Sequence, residues 1–255
     1  MSTINPNIEH LLFRRQFHWG KQKIEGPYWN VHEFGPHSFL SCHSDLEVEV
    51  RQHGSNFLAI LGTCFDPLKP HLTCAEIADF LFDECKHLDD LIAGTSPLSG
   101  RWAILSIRDK DAFLLNDPCG FRSVYYSPRG ACGSDPNILK RFLPFEKNED
   151  PALQTFINDP RYKIDESAWI GPGTLYKDCF HLLPNHYLDL NTFQVKRFFP
   201  LERMETIPIP RIVDLAAKTL EGSIEALLNH SELLIPLTAG WDSRVLLAAS
   251  RQFKD

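Results

Sequence analysis

Apolar and polar residues alternate in short segments over the first two hundred residues, and this pattern predicts β-strands. The predicted strands cover residues 39–43, 46–50, 57–61, 102–107, 112–117, 123–126, 186–190 and 194–199. Short polar turns at 109–111 and 191–192 join two pairs of them as hairpins. The pattern therefore predicts a mostly antiparallel sheet structure.

Helical spacing appears between these strands. Thr73 and Glu76 stand three residues apart, as a capping box requires, and apolar residues follow at one face of a predicted helix that runs to about Ile92. A second, shorter helix is predicted around 152–157. Both helices are expected to pack on the sheet.

The character of the chain changes after Phe199. Prolines at 200, 208 and 210 disfavour regular structure, so residues 200–210 are interpreted as a linker. Beyond it the pattern predicts an amphipathic helix from Ile212 to Leu228, a strand from Leu233, a loop at 238–241 and a helix from Asp242 to about Phe253. Helix, strand, loop and helix in this order are typical of the start of a parallel α/β domain.

Composition narrows the possible functions. The net charge of −7 argues against nucleic-acid or anionic-membrane partners, and no apolar run approaches the roughly 18 residues of a membrane span. The first residues lack the profile of a signal peptide, so a cytoplasmic protein is expected. The seven cysteines form no Cys-x-x-Cys pair and are expected to be free, buried thiols.

Candidate chemistry lies in the loop at 238–243, Thr-Ala-Gly-Trp-Asp-Ser. Small residues at the start of a helix allow backbone amides to approach phosphate oxygens, and the helix adds about half a positive charge. The Thr238 and Ser243 hydroxyls are further candidate donors, and Asp242 is a candidate Mg²⁺ ligand. Asp242 and Ser243 equally suit a helix cap. Trp241 either covers the phosphate chain or packs in the core.

The same loop resembles the Ser-Gly-Gly-x-Asp-Ser loop of the ATP pyrophosphatases, specifically the asparagine synthetase-like family. Two further stretches are similar to that family: Gly100–Tyr126, with its Asp117-Pro118-Cys119-Gly120 turn and Val-Tyr-Tyr strand, and Leu182–Phe199, with Leu-Leu-Pro-Asn-His and Arg-Phe-Phe. The three motifs occur in the family's order over about three-fifths of the chain. A Walker A sequence and a Gly-x-Gly-x-x-Gly sequence are both missing.

The resemblance implies an α+β fold in two parts. Residues 1–199 would form a degenerate glutaminase-like domain, an Ntn-hydrolase-like αββα sandwich, with 200–210 as linker. Residues 211–255 would begin a parallel α/β synthetase domain of the adenine nucleotide alpha hydrolase type, which would need further strands beyond Asp255. The 255-residue chain alone is therefore expected to bind ATP weakly at best and to be inactive. The implied activity is ATP-dependent amide formation in asparagine biosynthesis or a related pathway, on a small carboxylate with ammonia or another amine.

The resemblance also assigns site residues. Thr238, Ala239, Gly240, Asp242 and Ser243 would bind the pyrophosphate of ATP, with Asp242 on Mg²⁺. The family's glutaminase nucleophile is an N-terminal cysteine, whereas residue 2 is Ser, and neither Arg-Gly-Pro-Asp nor Asn-Gly occurs. We therefore expect no glutamine hydrolysis, with Ser2 as a weak candidate nucleophile. A homodimer or a complementing synthetase polypeptide is a possible partner. The alternative is a non-catalytic remnant that acts as a structural or partner-binding module.

Overall fold

The computed structural model describes residues 6–34, 37–164, 167 and 169–253. Within these ranges the chain is a mixed α+β structure with two six-stranded antiparallel sheets and seven α-helices. Short 3₁₀-helices lie at Pro6–Leu11 and Ser250–Gln252. The prediction of mostly antiparallel sheets with packed helices is confirmed.

The first sheet, sheet A, contains the strands that the sequence pattern mostly missed. Its members are β1 (Phe17–Gly20), β2 (Trp29–Glu33), β3 (Phe39–His43), β8 (Tyr125–Ser127), β9 (Ala131–Gly133) and β10 (Phe180–His181). They are ordered β10-β8-β9-β1-β3-β2. Only β3 and β8 were predicted. Strands β9 and β10 are very short, β1 carries His18 at a buried position, and β2 has no buried residue to mark one face.

The second sheet, sheet B, follows the predicted strands closely. It consists of β4 (Val48–His53), β5 (Asn56–Phe65), β6 (Ser99–Arg108), β7 (Asp111–Asn116), β11 (His186–Asp189) and β12 (Val195–Arg197). They are ordered β12-β11-β7-β6-β5-β4. The turns at 109–110 and 190–194 join β6 to β7 and β11 to β12, as the hairpin prediction requires.

The main core lies between the two sheets. Phe57, Ala59 and Leu61 of β5 pack there with residues of sheet A such as Phe17 and Leu40. The intervening residues of β5 point to the opposite face of sheet B, where a second core forms against helices. Burial on both faces explains why β5 is apolar at nearly every position.

Two helices cover that outer face of sheet B. They are α1 (Cys74–Glu84) and α2 (Leu88–Thr95), and the predicted capping box at Thr73 and Glu76 is present, with reciprocal hydrogen bonds of 3.1 and 2.8 Å. The single helix predicted over 73–92 is wrong. Cys85 has extended backbone, and His87 N–H donates to Asp90 Oδ2 at 3.1 Å, so a new helix begins there.

Three short helices follow: α3 (Pro136–Leu139), α4 (Pro151–Asn158) and α5 (Pro160–Ile164). Leu139 of α3 packs with Ala131 and Cys179 on the outer side of sheet A. Helix α4 matches the helix predicted around 152–157, and Asp150 caps it by accepting from the amides of Ala152 and Leu153. All seven cysteines are free, and five of them are buried.

The C-terminal part consists of α6 (Ile209–His230) and α7 (Trp241–Ala249), which pack on each other. Residues 200–208 of the predicted linker contain neither helix nor strand, but residues 209–210 already belong to α6, because proline is tolerated in the first turn of a helix. In the part of the chain that the structure describes, no helix is both long enough and apolar enough to cross a membrane.

Helix α6 holds this part against the sheets through the segment that follows β5. Asn229 Nδ2 donates to Pro70 O at 3.0 Å, and His230 Nε2 lies 3.2 Å from Leu72 O. Gly222 lies so close to Pro67 that a Cβ there would be 1.9 Å from the Pro67 carbonyl oxygen. The docking of α6 therefore depends on the missing side chain at 222.

The strand predicted from Leu233 to Leu237 is wrong. These residues are irregular, and Leu234 is 91% exposed. The apolar pattern is that of a strand buried on both faces, but a strand forms only when neighbours supply its backbone hydrogen bonds. None of the described strands lies beside this segment.

Candidate functional site

The loop at 238–243 leads directly into α7, where sequence reasoning placed the phosphate-binding element. Gly240 is the N-cap residue of α7 and has extended backbone (φ −72°, ψ 159°). No described side chain forms a capping hydrogen bond at this end of the helix. Asp242 and Ser243 fall in the first turn of the helix. Of the five predicted phosphate-binding residues, Thr238, Ala239 and Gly240 thus precede α7, and Asp242 and Ser243 lie in its first turn.

Ser243 organises this loop from within. Its side chain is buried, and its Oγ lies 3.0 Å from Thr238 O and 3.2 Å from Gly240 O. The Thr238 amide donates to the same Oγ at 3.1 Å, and the two hydroxyl oxygens are 3.0 Å apart. Both hydroxyls were predicted to donate to phosphate. In this structure each one is hydrogen-bonded within the loop and does not point to an external ligand as a free donor.

Some backbone amides of this loop donate hydrogen bonds within the protein, and others are free. Gly240 N–H donates to Thr238 Oγ1 at 3.2 Å. The amides of Trp241 and Asp242 make no hydrogen bond to any other described residue. Free amides at the start of a helix are suited to an anion, because the helix dipole adds to their positive end.

The Asp242 carboxylate is exposed and forms no ion pair or side-chain hydrogen bond with the rest of the described chain. The alternative in which Asp242 caps α7 is therefore not realised in this structure. Ser243 does not cap α7 either, because its hydroxyl donates to the carbonyls of Thr238 and Gly240 and accepts from no amide of the helix. Asp242 is left available for an external ligand.

Two neighbouring side chains define the approach to the loop. Trp241 is 80% exposed, so the prediction that it packs in the core is wrong. The Arg244 guanidinium lies 5.6 Å from the centre of the Trp241 ring, at the distance of a cation–π contact. An exposed indole and a cation thus flank the free amides.

The side chains of this loop are too few to bind a divalent metal ion without a further ligand. Over the described ranges, no group of three or more His, Cys, Asp or Glu side chains is arranged to hold a metal ion. Mg²⁺ prefers six oxygen ligands and commonly takes one or two carboxylates together with phosphates and waters. Asp242 suits that mode, in which the phosphate chain itself brings further ligands to the ion.

The other motifs of the resemblance come into contact with each other in the sheets. Asp117 is fully buried and accepts from the amides of Cys119, Phe121 and Arg122 at 3.1, 2.9 and 2.7 Å. Gly120, at φ +67°, lies against Pro184, where a Cβ would be 2.9 Å from the proline ring. The turn at 117–120 and the segment at 182–184 therefore form one structural unit.

Ser2, the candidate nucleophile, lies outside the described residues. Sequence reasoning also missed a group of arginines, Arg14, Arg15, Arg101 and Arg122, that line a polar cavity at one end of the sheets. Their only signal in the sequence is a pair of adjacent arginines at 14–15, which a solvated turn explains equally well. No protein-family model matches this chain, and no curated protein matches it either.

Proposed function

We propose that the chain is an asparagine synthetase-like protein whose loop at 238–243 binds the pyrophosphate of Mg·ATP. In the proposed reaction a small carboxylate attacks ATP to form an acyl-adenylate as pyrophosphate leaves. Ammonia or another amine then attacks the acyl carbon, the amide bond forms and AMP leaves. The loop would act by positioning the phosphates and by neutralising charge on the leaving group.

The observation that carries the proposal is the set of unused polar groups at the start of α7. The free amides of Trp241 and Asp242 and the free Asp242 carboxylate lie within consecutive residues, whereas the Thr238 and Ser243 hydroxyls are bonded inside the loop. Asp242 lies in the first turn of α7 and not at its N-cap, so its carboxylate is left open to an external ligand.

The arrangement of the sheets also supports the proposal. Helices α1 and α2 pack on the outer side of sheet B and α3 packs on the outer side of sheet A, which agrees with an Ntn-hydrolase-like αββα sandwich over residues 1–199. In this proposal residues 200–210 are the linker and 211–255 begin the synthetase domain. Contact between two of the three family-like motifs fits the same assignment.

Binding of Mg·ATP to the whole chain tests the proposal, with Trp241 fluorescence as the signal and calorimetry for the affinity. We expect binding that depends on Mg²⁺ and that weakens about tenfold or more in Asp242→Asn, because that variant loses a charged ligand of the ion. Asp214→Asn is the matched control, since Asp214 is an exposed aspartate of α6 outside the loop. Trp241→Phe should abolish the fluorescence change and retain the calorimetric signal.

Equal affinities of Asp242→Asn and Asp214→Asn would contradict the assignment of Asp242. Failure of the unmodified chain to bind either Mg·ATP or Mg·pyrophosphate would contradict the nucleotide site as a whole. Pyrophosphate release that requires both ATP and a carboxylate would extend the result from binding to chemistry. Glutamine hydrolysis is expected to be absent, and clear release of glutamate would contradict that part of the proposal.

One observation favours the second candidate, a non-catalytic partner-binding module. The C-terminal part exposes many large apolar side chains, namely Ile209, Ile212, Val213, Leu215, Leu234, Leu237, Trp241, Val245 and Leu247. Apolar surface of this kind marks interaction sites in many proteins. Under this proposal the chain would self-associate or bind a complementing polypeptide while Mg·ATP binding is absent, and analytical ultracentrifugation beside the calorimetry distinguishes the two candidates.

A further inference from the structure

A polar cavity of about 260 Å³ opens at the end of the two sheets where β1 begins. Residues before β1, between β3 and β4, on β5 and on β6 converge there, together with the turn after β7. Its charged lining residues are Arg14, Arg15, Asp45, Glu47, Arg101 and Arg122. We call this space the arginine cavity.

Arg122 is the buried member of the group. It is 7% exposed, and its Nη1 donates to the carbonyl oxygen of Arg15 at 3.0 Å. Its Nε is buried and has no hydrogen-bond partner among the described residues. Buried arginines in folded proteins are normally paired with a carboxylate, because an unpaired buried charge is costly.

The buried Asp117 carboxylate does not supply that pairing. Asp117 lies five residues before Arg122, and its oxygens accept from three backbone amides, including that of Arg122. Burial, followed by the positive charge of Arg101, lowers the pKa of Arg122 to about 10. The Arg122 guanidinium is therefore buried next to another positive charge and has no carboxylate of the described residues paired with it.

The other charged side chains of the cavity also leave an excess of positive charge. Arg14 is paired with Asp45, with Nε and Oδ2 2.6 Å apart. Within the described chain, no carboxylate lies within ion-pair distance of Arg15, Arg101 or Arg122. Glu47 is the one other acid of the lining, and it accepts from the Thr63 hydroxyl at 2.8 Å. Among the residues that line the cavity, which do not include Asp117, three unpaired guanidiniums against one unpaired carboxylate leave an excess of two positive charges.

Gly62 gives the Arg122 guanidinium its place on the wall. The backbone of Gly62 has φ +109°, and a Cβ there would lie 2.7 Å from Arg122 Nη2 and 2.3 Å from the Arg101 carbonyl oxygen. Any other residue would therefore displace both arginines and strain the backbone of β5. The missing side chain at Gly62 therefore leaves the space that the Arg122 guanidinium occupies at the cavity wall.

We propose that the arginine cavity binds a small oxyanion with two negative charges, a phosphoryl group or a dicarboxylate, between buried Arg122 and the exposed Arg15 and Arg101. The planar fork of a guanidinium matches both kinds of oxyanion with paired hydrogen bonds. A dianion balances the excess charge of the lining, and the exposed guanidiniums of Arg15 and Arg101 are open to bind it beside the partly accessible Arg122. The site is separate from the loop at 238–243 and does not depend on the function proposed for it.

Calorimetric titration of the full chain with inorganic phosphate, succinate and acetate, at constant ionic strength, tests the proposal. We expect saturable binding of phosphate or of succinate, and binding of acetate that is weaker by about tenfold or more because acetate carries one charge. A response to phosphate assigns the site to phosphoryl groups, and a response to succinate assigns it to dicarboxylates.

Substitutions at the exposed arginines keep the test independent of folding. Arg101→Gln and Arg15→Gln should each weaken binding about tenfold or more, and Arg101→Lys should retain part of it. Arg197→Gln is the matched control, because Arg197 is also an exposed strand arginine whose Nε donates to a phenylalanine carbonyl, outside the cavity. Arg122→Met, with its fold verified by circular dichroism, should abolish binding.

Three results would overturn the proposal. The first is no saturable binding of phosphate or succinate up to about 10 mM, at which a specific site of even modest affinity would be filled. The second is acetate binding as tight as that of the dianions. The third is an equal loss in Arg197→Gln and Arg101→Gln, which would indicate attraction by the overall charge.

Discussion

Protonation of His18 should destabilise the protein in mild acid. His18 lies in β1 and is 1% exposed, and neither ring nitrogen has a hydrogen-bond partner among the described residues. Its ring packs against Phe142, with ring centres 4.5 Å apart. Burial, and then the positive charge of Arg141, lowers the pKa of His18 from 6.5 to about 4.

The sign and size of the effect follow from this pKa. The unfolded chain binds a proton at pH values near 6.5, whereas the folded protein does so only near 4, so acid favours unfolding in between. The stability supplied by neutral His18 is complete above pH 6.5 and is lost as the pH falls through 4. The full loss is roughly 3 kcal/mol, of which about 2 kcal/mol is gone at pH 5.

That loss is large beside the roughly 5–15 kcal/mol by which domains are stable. Urea unfolding measured between pH 5 and 8, on the unmodified chain and on His18→Phe, isolates the contribution. Phenylalanine retains a ring against Phe142 and removes the titrating group. Because His18 makes no hydrogen bond that the variant would lose, His18→Phe should be at least as stable as the original at pH 8.

Other histidines provide the background of this measurement. Burial also lowers the pKa of His32 and of His181, so some acid destabilisation should remain in His18→Phe. The expected difference between the two proteins grows by about 2 kcal/mol from pH 8 to pH 5. His53→Gln, at an exposed residue of β4, should follow the unmodified chain. Parallel curves for the unmodified chain and His18→Phe would refute the reasoning.

Two further substitutions test contacts that position the helices. Gly222→Ala should lower stability by about 1–3 kcal/mol in thermal or urea unfolding, although alanine favours helix, because its Cβ would meet Pro67 O at 1.9 Å. Gly173→Ala, where no heavy atom lies within 4 Å of the new Cβ, is its control, and equal stabilities would contradict the docking of α6. Thr73→Ala should cost about 1 kcal/mol through loss of the capping box of α1. Thr155→Ala, which removes an exposed hydroxyl in the interior of α4, should change stability by less than about 0.5 kcal/mol, and a smaller loss in Thr73→Ala than in this control would argue against the cap.

The sequence predicted sheet B better than sheet A for a physical reason. The strands of sheet B are long or lie in hairpins, so their periodicity extends over enough residues to be detected. In β1 all four residues are buried, including His18, and the strand shows no alternation between apolar and polar positions. Short strands of this kind are defined by their neighbours in the sheet, and those neighbours are distant in sequence.

The two candidate sites differ in the same way. The five residues assigned to phosphate binding lie within one loop, so their spacing alone suggested a common role. Arg15, Arg101 and Arg122 lie on different elements, and only the pairing of β5 with β6 and the turn after β7 bring them together. No local pattern predicts such a cavity. The opposite case is the strand predicted at 233–237, which does not form. Its local apolar pattern is strong, but no described strand lies beside it to accept its backbone hydrogen bonds.

The arginine cavity and the docking site of α6 lie near the same strand, β5, but they can be tested independently. Gly62, on the wall of the arginine cavity, is held by its register with Trp102 of β6, whereas Pro67, in the segment after β5, receives α6. The strand pairing of Gly62 does not involve α6, so displacement of α6 by Gly222→Ala should leave anion binding intact. The same variant should alter the surroundings of α7, which packs on α6. Loss of anion binding in Gly222→Ala would mean that the cavity depends on the C-terminal helices, and the two sites would then have to be regarded as coupled.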